Sequence, residues 1–352
     1  MHGTHTRRGA YLALIAAALF GASAPLAKSL LRSIAPQLLA GLLYLGSGSG
    51  LLVYRLARGR ATEAPLQSTD RRWLAGAIAL GGVAGPLLLM TGLSRTPASG
   101  ASLLLNLEAV FTALVAWFVF RENVDRRIAF GMLAIVAGGV VLTWESRSSW
   151  GGLLGPLAIA AACLCWAVDN NFTQKVSAAD PVQIAMLKGL VAGSVNTAIA
   201  LGLGTRSPSV GPLAGALVVG LASYGVSLVL FVFALRYLGT ARTSAYFSTA
   251  PFVGAALSLA VFREPLTGAF LAAAGLMAVG VWLHLSERHV HEHHHEAMDH
   301  EHAHVHDEHH HHEHRPDDPP VTDPKPHTHR HSHEPLTHTH PHYPDIHHRH
   351  GH

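Results

Sequence analysis

The sequence predicts an all-α membrane protein: ten transmembrane helices arranged as two inverted five-helix repeats, followed by a disordered tail. Three observations predict it. Ten apolar runs, each close to the ~20 residues that a bilayer crossing requires, fall at 9–31, 36–57, 73–92, 97–120, 127–144, 151–174, 182–203, 211–235, 241–262 and 266–286. One stretch is written twice: Phe120-Arg121-Glu122 recurs as Phe262-Arg263-Glu264, an offset of 142 residues, within matching apolar surroundings that end at Trp144 and Trp282. The basic residues of the connections are unevenly shared between the two sides. Thirteen lie on the side of the N-terminus, from Arg7 and Arg8 to Arg242, against six opposite. The positive-inside rule therefore places both termini in the cytoplasm, with the chain in the inner (plasma) membrane. Five spans per half then force the second half to enter from the opposite side, an arrangement that builds a midplane site between inverted repeats.

Composition separates the chain into unlike parts. The expected boundaries are a cytoplasmic N-terminus at 1–8, a first repeat at 9–144, a second at 151–286 and a tail at 287–352. Residues 1–286 hold 20 Lys and Arg against 9 Asp and Glu, whereas the tail holds 5 against 13. The overall net charge of +3 thus carries no implication for nucleic acid, and none is expected as a partner. The expected partners are the lipid bilayer and a small-molecule solute, with a metal ion at the tail. Arg7-Arg8, the run Gly9 to Phe20 and Ala22-Ser23-Ala24 imitate a cleavable signal peptide, but the apolar character continues to Leu31, as a first span requires. Cys163 and Cys165 sit too close together in an apolar run for a disulfide framework and read as core packing.

The segments ASLLLNLEAVFTALVAWFVFRE and TSAYFSTAPFVGAALSLAVFREPL carry a specific resemblance. Over residues 9–286 the chain resembles a ten-helix member of the drug/metabolite transporter superfamily, EamA type. Glu122 and Glu264 match the glutamate that this family carries at a helix end. The proline common in this helix is present as Pro251 in the second copy, but its counterpart in the first is Ala109. The resemblance implies transport of a small solute without naming it.

Ionisable groups inside a hydrocarbon span cost about 2.5–3.5 kcal/mol on insertion scales, so they face a cavity or a partner. The spans contain few: Glu108, Asp169 and Lys188, with Lys28 toward a helix end. The candidate solute or proton site is Asn106, Glu108, Asp169 and Asn170, joined by Tyr246 and Ser248 from the duplicated helix. Glu108 reads either as a carboxylate that binds a cation or cycles a proton, or as half of an ion pair with Lys28 or Lys188. Asp169 has a competing reading as a solvated residue near a helix end. Glu122 and Glu264 read as solvated or headgroup-facing residues with a structural role.

The tail is the strongest compositional signal: 25 of the 28 histidines lie in it, interleaved with acids and prolines. Such composition cannot bury a core and predicts disorder. Neutral imidazoles ligate zinc, nickel, copper and cobalt, and the expected ligands are His291, His293, His294, His295, His300, His302, His304, His306, His309, His310, His311, His312, His327, His329, His331 and His333. A purification tag is disfavoured by the tail's length and dispersed acids. A pH-responsive role is also open, because unshifted histidines titrate near pH 6.5.

No Gly-rich phosphate loop or nucleophile elbow occurs, so an enzyme is not expected and no cofactor is required; a divalent transition metal on the tail is the one such group in view. The leading reading is a permease for a small organic solute working by alternating access. A transition-metal transporter is the second. A non-transporting, membrane-anchored metal or pH sensor is the third, although two five-helix halves exceed what an anchor needs.

Overall fold

The computed structural model describes residues 2–58, 66–119, 126–144, 150–176 and 179–285, together with 289–295, 298–304, 327–333 and 336–342 of the tail. Each of the ten apolar runs is mainly helical over its described residues. The first half comprises α1 (His2–Gly21), α2 (Ser23–Leu30), α3 (Pro36–Arg58), α4 (Arg71–Ala77), α5 (Gly85–Arg95), α6 (Ala98–Leu104), α7 (Leu107–Phe118) and α8 (Arg126–Trp144). The second comprises α9 (Leu154–Val176), α10 (Pro181–Gly202), α11 (Val210–Gly220), α12 (Ser227–Phe247), α13 (Ala250–Phe262) and α14 (Gly268–Leu285). Seven of the described helical stretches are long and apolar enough to cross a membrane. The shorter α13 and α14 fall outside that group, as does α9, where Asp169, Asn170, Asn171 and Lys175 interrupt the apolar character.

Local chemistry sets the ends. Pro36 and Pro181 occupy first helical positions, where the missing N–H is no loss. Asp180 caps α10 by accepting from the Val182 N–H at 2.9 Å, and it pairs with Arg55 of α3 at 3.2 Å. The connection expected between the eighth and ninth runs is not a loop: α12 stays helical from Ser227 to Phe247. No proline interrupts that stretch, and its first glycine is Gly239.

Two features recur between the halves. π-helical turns join α4 to α5 at Ile78–Ala84 and α11 to α12 at Leu221–Val226. Helix breaks separate α6 from α7 at Leu105 and Asn106, and α12 from α13 at Ser248 and Thr249. In the second break Pro251 follows within the first turn of α13 and disfavours continuation. In the first, where Ala109 stands in its place, the Asn106 side chain donates to the Leu103 carbonyl at 2.9 Å and competes with the helical ladder.

α3 packs along α10, α8 along α14, α1 along α12 and α5 along α9, with α7 on α9 and α13 on α1. The main core gathers Leu39, Leu43, Met90, Leu93, Leu104 and Ile159, and a second forms from Leu103, Ile135 and Met277. Large apolar side chains stay exposed on the outside, among them Phe118, Leu133, Leu157, Val218 and Leu271. That surface suits hydrocarbon, not water.

The described parts of the tail differ from the disorder expected. β1 (His289–His295) pairs antiparallel with β4 (Leu336–His342), and β2 (Met298–His304) with β3 (His327–His333). The His-x-His alternation has the two-residue period of a strand, although an isolated two-stranded ribbon is only marginally stable. His306, His309, His310, His311, His312 and Glu122 lie outside the described residues.

Candidate functional site

The first π-helical turn frees backbone carbonyls inside the bundle, and side chains from three other helices take them up. Gly81 O accepts from the Tyr44 hydroxyl of α3 and from Trp166 Nε1 of α9, both at 2.9 Å. Gly82 O accepts from Asn196 Nδ2 of α10 at 3.1 Å. Such turns concentrate at functional sites because the displaced residue opens the helix to outside contacts. Glycine is needed at 81, since a Cβ there would collide with the Asp169 carboxylate.

Asp169 is buried and ion-paired, which corrects the reading of a solvated residue near a helix end. Its two oxygens lie 2.6 and 2.7 Å from Lys188 Nζ of α10, and Oδ1 also accepts from the Thr173 hydroxyl at 2.9 Å. Side-chain exposure is 7% for Asp169 and 16% for Lys188. Three elements therefore hold the pair: α9, α10 and the glycine of the bulge.

Glu108 takes neither lysine. Lys188 is committed to Asp169, and Lys28 of α2 donates to the carbonyls of Leu93 at 2.5 Å and Thr96 at 2.8 Å, closing the end of α5. Glu108 sits half-buried in the first turn of α7, immediately after the break, where the helix dipole favours an anion. Its Oε1 accepts from Asn170 Nδ2 of α9 at 2.8 Å. One bond thus joins the first half to the second. Across the same break, the Cys163 thiol approaches the carbonyls of Leu104 and Leu105 at 3.8 and 3.9 Å, a packing role as expected.

Of the residues singled out from sequence, the structure brings Glu108 and Asn170 together and sets Asn106 apart. Asn106 is 4% exposed and turns toward α14, with Nδ2 3.9 Å from Met277 Sδ. Tyr246 and Ser248 lie half-buried at the corresponding break of the second half. Nearby runs a chain of half-buried rings that sequence reasoning did not find. Tyr44 meets Tyr224 at 5.6 Å between centroids, Tyr224 meets Phe20 at 5.9 Å, and Phe20 meets Phe247 at 5.4 Å. A usable signal was present: Tyr44 and Trp166 are polar-tipped aromatics inside apolar spans, which require a partner when buried.

Glu264 is half-buried and hydrogen-bonded, in a structural role as expected. Arg263 adopts a left-handed conformation with φ 51°, which ends α13 and carries Glu264 to α6. There Oε1 accepts from the Ala98 N–H at 2.8 Å, and Oε2 from the Ser99 N–H at 3.0 Å and the Ser99 hydroxyl. The carboxylate satisfies amides at a helix start, so Glu264→Gln is expected to cost about 1–2 kcal/mol. Unfolding of the purified protein in detergent measures this, and Arg263→Gly is expected to be neutral or stabilising. A cleft of about 210 Å³ lies beside this junction, lined by Lys28, Arg32, Ser94, Phe262 and Glu264. Among the described residues no group of three His, Cys, Asp or Glu side chains is gathered for a metal ion.

A family model described as the EamA-like transporter family matches residues 7–144 and again 153–286. The chain belongs to the EamA-like transporter family. It is a multi-pass membrane protein and, by family, a transporter. An uncharacterized transporter of Methanothermobacter thermautotrophicus is 30% identical over 285 residues, covering 75% of this chain and 83% of that protein. A probable amino-acid metabolite efflux pump of Salmonella typhimurium is 27% identical, covering 54% of this chain and 68% of the relative. A probable 4-amino-4-deoxy-L-arabinose-phosphoundecaprenol flippase subunit ArnE of Pseudomonas fluorescens is 39% identical over 105 residues, 30% of this chain but 90% of its own length. A solved crystal structure aligns with a TM-score of 0.58 at 20% identity, covering 78% of this chain and 95% of the other, and supports the fold alone.

Proposed function

We propose that this EamA-family member carries a small organic solute across the inner membrane by alternating access between two inverted five-helix halves, each containing five spans. The observation that carries this reading is the reciprocal packing of the helices. α1 on α12 has its counterpart in α5 on α9, and α7 on α9 has its counterpart in α13 on α1, as a pseudo-two-fold relation requires. The recurring π-helical turns, the recurring helix breaks and the twofold match of the family model support the same duplication. The solute site is the Glu108–Asn170 contact between the halves, and an ion gradient supplies the energy.

Accessibility tests the alternation. In a variant with both native cysteines replaced by serine, Asn170→Cys is expected to react with an impermeant maleimide from either side of the membrane, in right-side-out and inverted vesicles. Labelling from one side alone is incompatible with alternating access. Reporter fusions at residue 4 and residue 340 are expected to give cytoplasmic signals, and a periplasmic signal from either end refutes the inverted arrangement.

We assign divalent transition-metal binding to the tail. Its support is the density of histidine and the register of the two ribbons, where His291 stands opposite His340, His293 opposite His338, His300 opposite His331 and His302 opposite His329. A chain ending at Ser286 keeps every apolar run, so it is expected to insert normally and to lose most zinc or nickel binding in titration. Undiminished binding refutes the assignment.

A further inference from the structure

The Glu108–Asn170 site holds a carboxyl group that the protein itself leaves without a cationic partner among the described residues. Among the described residues Glu108 forms no ion pair; Lys188 is taken by both oxygens of Asp169, and Lys28 by backbone carbonyls. Asn170 supplies one hydrogen bond to Oε1, while Oε2 has no partner among the described residues and is not sealed from solvent. A carboxylate within a membrane span, neither paired nor fully hydrogen-bonded, is costly. A cation arriving from outside removes that cost.

The surroundings narrow the kind of cation. Tyr44 bonds the carbonyl of Gly81, the glycine that lies against Asp169, the neighbour of Asn170, and its ring is the first of the series Tyr44, Tyr224, Phe20 and Phe247. These rings come from both halves, and each remains only half-buried, as lining residues do. Aromatic faces attract organic cations and also cover apolar bodies, whereas a bare metal ion needs several hard or imidazole donors that this site lacks. The asymmetry between the two acids is what selects this site: Asp169 is saturated, and Glu108 is not.

From this arrangement we infer that the transported solute carries a protonated amine beside an apolar or aromatic body, with the amine bound to Glu108 and the body lying against the Tyr44–Tyr224 rings. The inference rests on the permease reading and specifies its substrate class. Binding to a carboxylate oxygen inside the bundle favours the cation over its neutral isostere, by roughly ten-fold or more from charged hydrogen bonding.

Three probes that share an indolylethyl body test it on the full-length protein in nanodiscs at pH 7: tryptamine, its neutral isostere tryptophol, and the anion indole-3-propionate. Calorimetric binding is expected to rank tryptamine first and the propionate last. Glu108→Gln is expected to erase tryptamine's advantage over tryptophol without lowering the unfolding midpoint. Tyr224→Phe is expected to retain tryptamine affinity and Tyr224→Leu to lose it. Equal affinity for all three probes, an advantage that survives Glu108→Gln, or no binding of tryptamine at all overturns the inference. Two-sided labelling at Asn170→Cys is read separately, so failure of the substrate class is distinguishable from failure of alternating access.

Discussion

Lys188→Met is expected to destabilise the protein by about 3–5 kcal/mol, because it strips the partner from a carboxylate that the fold has already buried. Asp169 has little recourse once the ammonium is gone. Its side chain is 7% exposed, Thr173 supplies a single hydroxyl, and Gly81 presses against it from the π-helical turn. Asp169→Asn is expected to cost less, since the amide still hydrogen-bonds Thr173 while Lys188, at 16% exposure, is nearer to water. The double variant Asp169→Asn with Lys188→Met removes both charges and is expected to recover much of the loss. Unfolding midpoints in detergent and the recovered monodisperse fraction measure all three. If the double variant is no better than Lys188→Met, the cost does not come from an unmatched charge, and the pair serves another purpose.

The arrangement was legible where it depended on composition and illegible where it depended on which neighbour a side chain meets. Apolar runs gave the helices, because span length is a property of the chain itself, and the repeated Phe-Arg-Glu falls within the two stretches that the family model matches. The rarity of acids in the spans pointed to Glu108 and Asp169, but nothing local could say that Lys188 would choose Asp169. Nineteen residues separate that pair, and Asn170 reaches Glu108 across 62. Such choices are made by helix packing. Asn106 shows the same limit: adjacent to the site in sequence, it rotates to the other face of the helix and meets Met277. Glu264 looked like a surface residue beside an arginine, and only the left-handed turn at Arg263 reveals it as the cap of α6. The ring series was missed because its members lie on four separate segments, and its joining is a property of the fold alone.

A close crossing between the halves carries the second large effect. α3 and α10 cross with Gly48 against Gly189, so closely that a Cβ added at Gly189 would lie 2.6 Å from the Gly48 nitrogen, and one at Gly48 would strike the Leu190 nitrogen. Small residues allow such crossings in membranes, where helix association depends on van der Waals fit and not on expulsion of water. The obstructing atoms here are backbone, which cannot rotate away. Gly189→Leu is therefore expected to force the two helices apart at about 3 kcal/mol or more, above the usual range for overpacking. Gly275→Leu is the matched control: this exposed glycine of α14 has nothing within 4 Å of an added Cβ, and a better helix former there is expected to be neutral or slightly stabilising. Because Asp180 and Arg55 also tie α10 to α3, a wedge at Gly189 is expected to loosen that ion pair as well. Equal unfolding midpoints for Gly189→Leu and Gly275→Leu would mean that this crossing is not the tight seam between the halves.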